Sequence, residues 1–152
     1  MKDPSDNIRD YVYNVLNGTV SYGGSYIPVY SFAPKDSAYP HIIIGEQQML
    51  TEDPSPKDAW VTENTVTIEV WDSYTGNDAS YVKVNTISNS ILELLRTRAM
   101  ALTGSGGWAI AGITGFNLIS LTLDSSITDR FLWENKIIIF KSLNIKMLLE
   151  EE

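Results

Sequence analysis

The sequence NTVTIEVWDSY, residues 64–74, alternates apolar and polar side chains over most of its length. Val66, Ile68 and Val70 therefore fall on one face of an extended strand, and threonine and glutamate side chains fall on the other. Strict alternation of this kind is typical of an antiparallel sheet with one face on the core and one face in solvent. The stretch thus predicts a sheet strand with a core behind it.

A long amphipathic helix is predicted after this strand, over about residues 79–101. The members of its apolar stripe are Val84, Ile87, Ile91, Leu94 and Leu95. Ser88 is predicted to lie off the stripe. Asn77 and Asp78 are predicted to cap the start of the helix, and the glycine-rich run at 103–107 to end it.

A shorter helix and further strands complete the chain. Asp3 followed by Pro4 is a helix start signal, and Asn17-Gly18 is a stop signal. Runs rich in strand-forming residues lie at 19–22, 27–32, 41–50, 113–124 and 135–147. The first two of these flank a glycine-rich turn and are predicted to form a hairpin or a bent strand pair. The expected fold class is α+β, a mostly antiparallel β-sheet packed against two helices in the order α-β-β-β-β-α-β-β.

The length of the chain indicates a single domain. A chain of 152 residues with 43% hydrophobic residues is long enough for one core and too short for two ordinary domains. We expect one domain over 1–152, with a polar arm at about 51–63 and an acidic C-terminal end at 148–152. These two segments hold most of the net charge of −8.

Charge and composition argue against several classes of protein. The closest pair of basic residues, Arg96 and Arg98, does not make the Lys/Arg cluster that a nucleic-acid-binding surface needs. The apolar runs fall far short of the roughly 20 residues that span a bilayer. The chain has no cysteine and begins without an apolar signal-peptide region. We expect a cytosolic protein with no sequence-specific nucleic-acid binding and no membrane contact.

The sequence shows no constellation of catalytic residues. His41, the only histidine, has no nucleophile signature around it and is predicted to serve the geometry of a strand start. Asp124, Asp129 and Glu134 are too loosely spaced for a calcium loop. TGSGGWAIAG, residues 103–112, lacks the Lys-Ser/Thr of a phosphate loop and follows a helix. We therefore expect no enzymatic activity, no cofactor and no metal site.

Apolar residues in and near the polar arm are the candidates for an assembly interface. Trp60 lies among charged residues, and an exposed indole at that place is explained by burial against a neighbouring subunit. The alternative, that Trp60 folds back on its own sheet, remains open. The candidate interface residues are Met49, Leu50, Trp60 and Trp108.

Several motifs follow one another in a fixed order along the first two thirds of the chain. A proline-valine-tyrosine strand at 28–30 leads through a polar turn to a strand at 40–45 that begins with proline and ends in glycine. Residues 66–71 form a second strand that ends in Val-Trp and precedes Gly76 and the long helix. This order resembles that of the tail-terminator or tail-completion proteins of long-tailed bacteriophages, and the resemblance covers about residues 8–96. The C-terminal third departs from the pattern, so no roles are transferred to it.

The resemblance implies a structural virion protein that forms a ring, typically a hexamer, at the head-proximal end of the tail tube. Such a ring ends tube polymerisation and joins the tail to the head. Its partners are further copies of itself, the tail tube protein and the head-tail connector proteins, and it is assembled in the host cytoplasm. The genome passes through its channel, and the hypothesis for Glu52, Asp53 and Asp58 is that these acids face the lumen or the rim.

Two alternatives stay open on the sequence alone. The first is another head-tail joining protein with a similar small α+β fold, such as a neck or head-completion subunit on the portal side. A small cytosolic ligand-binding domain or enzyme is the third possibility, and a polar pocket would distinguish it.

Overall fold

Two helices and seven strands form the computed structural model, which describes residues 2–51, 60–75, 79–103 and 113–151, with the backbone alone at 99–103. The elements in chain order are α1 (Ser5–Leu16), β1 (Ser21–Tyr22), β2 (Ser25–Tyr26), β3 (Val29–Tyr30), β4 (His41–Thr51), β5 (Val61–Thr75), α2 (Val82–Thr103), β6 (Phe116–Trp133) and β7 (Lys136–Glu151). The predicted α+β class is confirmed.

One five-stranded sheet holds the fold together, with strand order β3-β4-β5-β7-β6. β4 with β5, β5 with β7, and β7 with β6 are antiparallel pairs, whereas β3 lies parallel to β4. Because β5 is central and has the predicted alternation, its residues are alternately buried and half-buried from Val61 to Asp72. The sheet is therefore mostly antiparallel, as the alternation at 64–74 predicts.

The core lies between one face of this sheet and the two helices. Val66, Ile68 and Val70 of β5 are buried there together with the stripe of α2. Burial of apolar side chains contributes about 25 cal/mol per Å² removed from water, which makes this layer the main source of stability. One detail of the helix prediction is wrong: Ser88 is fully buried, because its hydroxyl donates to the carbonyl of Asn85 within the helix and needs no solvent.

Helix α1 begins one residue later than the Asp3-Pro4 signal suggests. Pro4 is the N-cap residue, and the Asp3 carboxylate accepts hydrogen bonds from the backbone N–H (2.9 Å) and the hydroxyl (2.6 Å) of Ser5. The helix ends at Leu16, where the signal at Asn17 places it. Its five buried residues pack into the core: Ile8, Tyr11, Val12, Val15 and Leu16.

The predicted hairpin around residues 23–25 is present, but it is smaller than the flanking runs suggest. Gly23 and Gly24 take positive φ angles of 61° and 85° between β1 and β2, a conformation that glycine adopts without a steric penalty. The following run at 27–32 does not continue the hairpin. Only Val29 and Tyr30 form a strand, and they pair with β4 in the main sheet.

The β6–β7 hairpin is longer than the sequence pattern indicates. The predicted strands end at 124 and 147, whereas β6 continues to Trp133 and β7 to Glu151. Residues 148–151 are therefore part of the sheet, with Leu149 fully buried, and only the outer side of this acidic end meets solvent. The strands stay paired so far because β7 lies between β5 and β6 and has a partner on each side.

A buried carboxylate on β5 forms an ion pair with a lysine of α2. Asp72 is 2% exposed, and its Oδ2 lies 3.8 Å from Lys83 Nζ, a distance at which the ion pair acts through space without a hydrogen bond. The Lys83 ammonium also lies 5.4 Å from the centre of the Tyr22 ring, which links the small hairpin to this site. The pKa of Tyr74 is raised to about 12. Burial is the largest cause, and the nearby Asp72 carboxylate is the next largest.

Candidate assembly interface

Strand β6 is an edge strand that is exposed on both of its faces. Its inner edge pairs with β7 over 18 residues of strand, and no other strand in the described part of the chain lies along its outer edge. From residue 119 to 133 every side chain is exposed except that of Leu121, which is half-buried. Since an unpaired strand edge is a ready template for another chain, such an edge in a natural protein is either protected or used.

Apolar side chains are concentrated on this strand. The exposed members are Ile119, Leu123, Ile127, Phe131, Leu132 and Trp133, with exposed fractions from 40% to 73%. Natural sheets protect an edge with lysine, proline, short strand length or bulges. The sequence of β6 contains neither lysine nor proline, and its pairing with β7 shifts register between Leu118 and Ser120 and between Leu123 and Ser125. The exposed apolar side chains lie on both faces of the strand and are candidates for a protein–protein contact.

An aromatic cluster holds the far end of the hairpin on the face of the sheet that no helix covers in the described part of the chain. Trp71 of β5 stacks on Phe140 of β7 with ring centroids 4.8 Å apart, and Phe131 of β6 meets Trp71 edge-on at 6.0 Å. The indole N–H of Trp71 donates to the Glu69 carboxylate at 3.1 Å. Ile138, which is 3% exposed, lies in β7 directly opposite Phe131. At this end the exposed strand is therefore packed against β5 and β7.

The sequence-predicted interface residues lie at the other end of the sheet. Met49 is half-buried and Leu50 is 51% exposed near the end of β4. Trp60 is 42% exposed just before β5, and its carbonyl accepts a hydrogen bond from the Glu151 N–H at 2.9 Å. Trp108 and the candidate lumen acids Glu52, Asp53 and Asp58 lie outside the described residues.

The sequence analysis missed the exposed residues of β6. Residues 116–133 place apolar side chains at both odd and even positions, and the run Phe131-Leu132-Trp133 directly precedes the turn at Glu134 and Asn135. In a strand with one wet face only one parity should be apolar. Apolar residues on both parities were the available signal, although the two register shifts of β6 change which parity faces the helices along the strand.

His41 begins β4 and is 3% exposed. Its Nδ1 lies 3.0 Å from the carbonyl of Ala38, which only accepts hydrogen bonds, so the proton is on Nδ1. The ring is 4.8 Å from that of Tyr39 and 5.9 Å from that of Tyr30. His41 thus holds together the end of the connection between β3 and β4, in a position that follows the cis bond between Tyr39 and Pro40.

The burial of His41 gives a testable pH dependence. Burial lowers the pKa of His41 from its usual 6.5, and the hydrogen bond to Ala38 offsets part of this change. Below about pH 6.5 the unfolded chain therefore takes up a proton that the folded chain does not yet bind, so stability falls as the pH falls. We expect wild type to lose more unfolding free energy than His41→Phe between about pH 7.5 and about pH 5.5 in urea titrations.

The difference in unfolding free energy between the two pH values is free of the part of the substitution's cost that does not depend on pH. Phenylalanine keeps the ring beside Tyr39 but loses one hydrogen bond, which costs about 1 kcal/mol at both pH values. Contributions to stability that do not involve His41 are common to both proteins. Equal losses of stability on acidification would contradict the assignment of a neutral, buried His41.

The placement of potential metal ligands and a groove beside His41 bear on whether the described residues could support catalysis. No group of three or more metal-binding side chains is arranged around a common point there. An open groove of about 860 Å³ lies between the connection 33–39 and the tip of the β6–β7 hairpin, with Tyr39, His41, Trp71 and Trp133 among its walls. The only histidine in it already donates to a backbone carbonyl.

None of the helices in the described part of the chain is long and apolar enough to cross a membrane.

Comparisons with known proteins give likenesses to solved structures. No protein family profile matches the sequence, and no curated protein matches it. A chain from a solved structure described as "Virion of native gene transfer agent (GTA) particle" is similar to this chain with a TM-score of 0.44 and 15% sequence identity, over 97% of this chain and 91% of that one. A TM-score of this size does not establish a common fold, and the interpretation of function depends on the geometry of the chain itself.

Proposed function

We propose that this chain is a structural protein of a phage-like virion that assembles into a ring, most simply a hexamer, and caps the head-proximal end of a tail tube. The observation that carries the proposal is the exposed apolar edge of β6. A strand of 18 residues whose outer edge has no partner among the described strands, and which contains neither lysine nor proline, is a template for pairing with another subunit.

The rigidity of the hairpin supports an assembly role. β7 pairs with β5 from Lys136 to Glu150, so the strand that carries β6 is fixed along its length. The stack of Trp71 on Phe140 fixes its tip. A preformed surface binds with a smaller loss of conformational entropy than a flexible one. The surface is therefore suited to repeated contacts with identical geometry, as a closed ring requires.

The motifs that carry the resemblance to tail-terminator proteins also support the proposal. The residues at 28–30 and 40–45 contribute the parallel β3–β4 pair, and residues 66–71 belong to the central strand β5. In the proposed role, one face of the ring complements the last ring of tube subunits, while the other face does not recruit more of them. Tube growth then ends, and the second face is free for the head-tail connector proteins.

The proposed channel is acidic. Glu52, Asp53 and Asp58 are proposed to face its lumen or rim, where they would keep the genome from adhering as it passes. Charge reversal at all three positions should then slow genome ejection. Unchanged genome ejection together with unchanged docking of the ring would show that these acids do not face the lumen or the rim.

The ring itself is tested by native mass spectrometry over a concentration series, with negative-stain images of the same samples and of samples mixed with purified tail tubes. We expect rings of one defined copy number, and capped tube ends. A chain that remains monomeric at every concentration and also leaves the tube ends bare would overturn the proposal. Binding to the portal side without capping of the tube would instead identify a neck or head-completion subunit.

A further inference from the structure

The two edges of the main sheet differ in how they are covered. On the β4 side, β3 pairs with Ile42 and Ile43. The guanidinium of Arg9 then donates to the carbonyls of Ile44, at 2.6 Å, and Gly45, at 2.7 Å. A strand from another molecule cannot use these carbonyls. The β4 edge is therefore closed as far as Gly45.

Beyond Gly45 the β4 edge changes character. Residues 47–51 pair with β5 on their inner side, Glu46 lies in the register shift before them, and no described strand lies on their outer side. This stretch is about 20 Å long at the usual rise per residue. It contains Met49 and Leu50 and no lysine. The sheet thus has one short free edge on β4 and one long free edge on β6.

We propose that the outer edge of β6 in one copy pairs with residues 46–51 of β4 in the next copy, so that the sheet continues across the subunit boundary. The proposal rests on the ring assembly proposed above and names the contact that closes it. The contact joins two different surfaces, and such contacts generate rings when the rotation between copies closes.

The strand directions fit this contact. β4, β5, β7 and β6 are neighbours in that order, and each successive pair is antiparallel. β4 and β6 consequently run in opposite directions. Two copies that stand side by side in the same orientation, as rotation about a ring axis requires, bring an antiparallel pair of edges together. The new ladder is then of the type that joins the neighbouring strands within each copy.

The side chains on the two edges also match face by face. Residues that pair in succession across β4, β5, β7 and β6 form rows perpendicular to the strands. Met49 and Leu121 belong to one such row, and Gln48 and Thr122 belong to the next. The row of Met49 and Leu121 includes Met147, which lies in the core, so its side chains point to the helix side. A junction between copies at similar height would extend the apolar layer on that side, with Gln48 and Leu50 on the opposite side.

The rest of β6 also has a place in this arrangement. Its second half, with Ile127 in the middle, would lie beside the β3 end of the neighbouring copy. Phe32, which follows β3, is 86% exposed in the free chain. The contact would therefore cover Phe32 and Ile127 together.

Cysteine crosslinking tests the proposal directly, because the native sequence contains no cysteine. Gln48→Cys is combined in turn with Ser120→Cys, Thr122→Cys and Ser125→Cys, all of which are exposed on β6. Mild oxidation of the assembled protein is followed by denaturing electrophoresis. We expect at least one of the three combinations to give a ladder of covalent oligomers that extends beyond the dimer. The matched control is Gln48→Cys with Ser142→Cys on the inner strand β7, which should remain monomeric.

Each other outcome has a definite meaning. Covalent dimers from a single β6 cysteine would show that β6 pairs with β6 and would overturn the proposal. Rings seen in native mass spectra without a ladder in any combination would also overturn it, and the ring function would stand. A ladder from a protein that does not cap tube ends would support the contact and contradict the proposed function.

Discussion

Ile127→Lys is expected to break the assembly at concentrations where the wild-type chain forms rings. Ile127 is 64% exposed near the middle of β6. In the proposed ring this side chain is covered by the neighbouring copy, and a lysine at that place would bring an unpaired charge into an apolar contact. Lysine is also the residue with which natural sheets prevent edge pairing. We expect the dissociation constant for subunit contact to rise at least about 100-fold, equivalent to about 2.7 kcal/mol.

Native mass spectrometry over a concentration series measures this change, and circular dichroism checks the fold. Since exposed substitutions usually change stability by no more than about 0.5 kcal/mol, the thermal midpoint of the variant should stay close to that of wild type. Asn14→Lys is the matched control, because it adds the same charge at an exposed position of α1. If both variants assembled equally well, β6 would not be the contact surface.

Ile68→Ala is expected to cause the largest loss of stability. Ile68 lies in the central strand β5, fully buried, between Ile44 of β4 and Leu143 of β7. Removing three carbons from a packed core costs the transfer free energy of those carbons plus the cost of the cavity, about 2–5 kcal/mol in total. Domains of this size are stable by about 5–15 kcal/mol, so the variant would lose a large part of its margin.

Urea unfolding measures the effect, with an unchanged slope of free energy against urea as the sign that both proteins unfold from the same state. Thr67→Ala is the matched control, since Thr67 is the adjacent residue on the opposite, half-buried face. It should change the unfolding free energy by about 1 kcal/mol or less. A loss below about 1 kcal/mol for Ile68→Ala would contradict the position of this side chain in the core.

The parts of the fold that follow from local periodicity could be predicted from the sequence. The alternation at 64–74 identifies β5, and the apolar stripe of the second helix identifies α2, because a side chain's face is set by the geometry of its own element. The start of β4 at His41 and the turn at Gly23-Gly24 also follow from short-range patterns. These elements fix the α+β class without knowledge of the pairing.

The candidate interface could not be predicted in the same way. Whether a strand is central or at an edge depends on which other strands pair with it, and β6 has the composition of a strand that could take either place. The parallel pairing of β3 with β4 rests on two residues, too few for a periodic signal. The burial of Ser88 depends on a hydrogen bond within α2 and on the packing around it. All three features are properties of the assembled sheet and its layers.

The closure of the β4 edge by Arg9 has a consequence for the accuracy of assembly. In the proposed ring, the guanidinium limits the strand pairing at each junction between copies to residues 46–51 of β4, and a short ladder can dissociate again. An open arc has one junction fewer than it has subunits, whereas a closed ring has as many junctions as subunits. Only closure gives every subunit two junctions at once, so incorrectly joined copies separate and the closed ring persists.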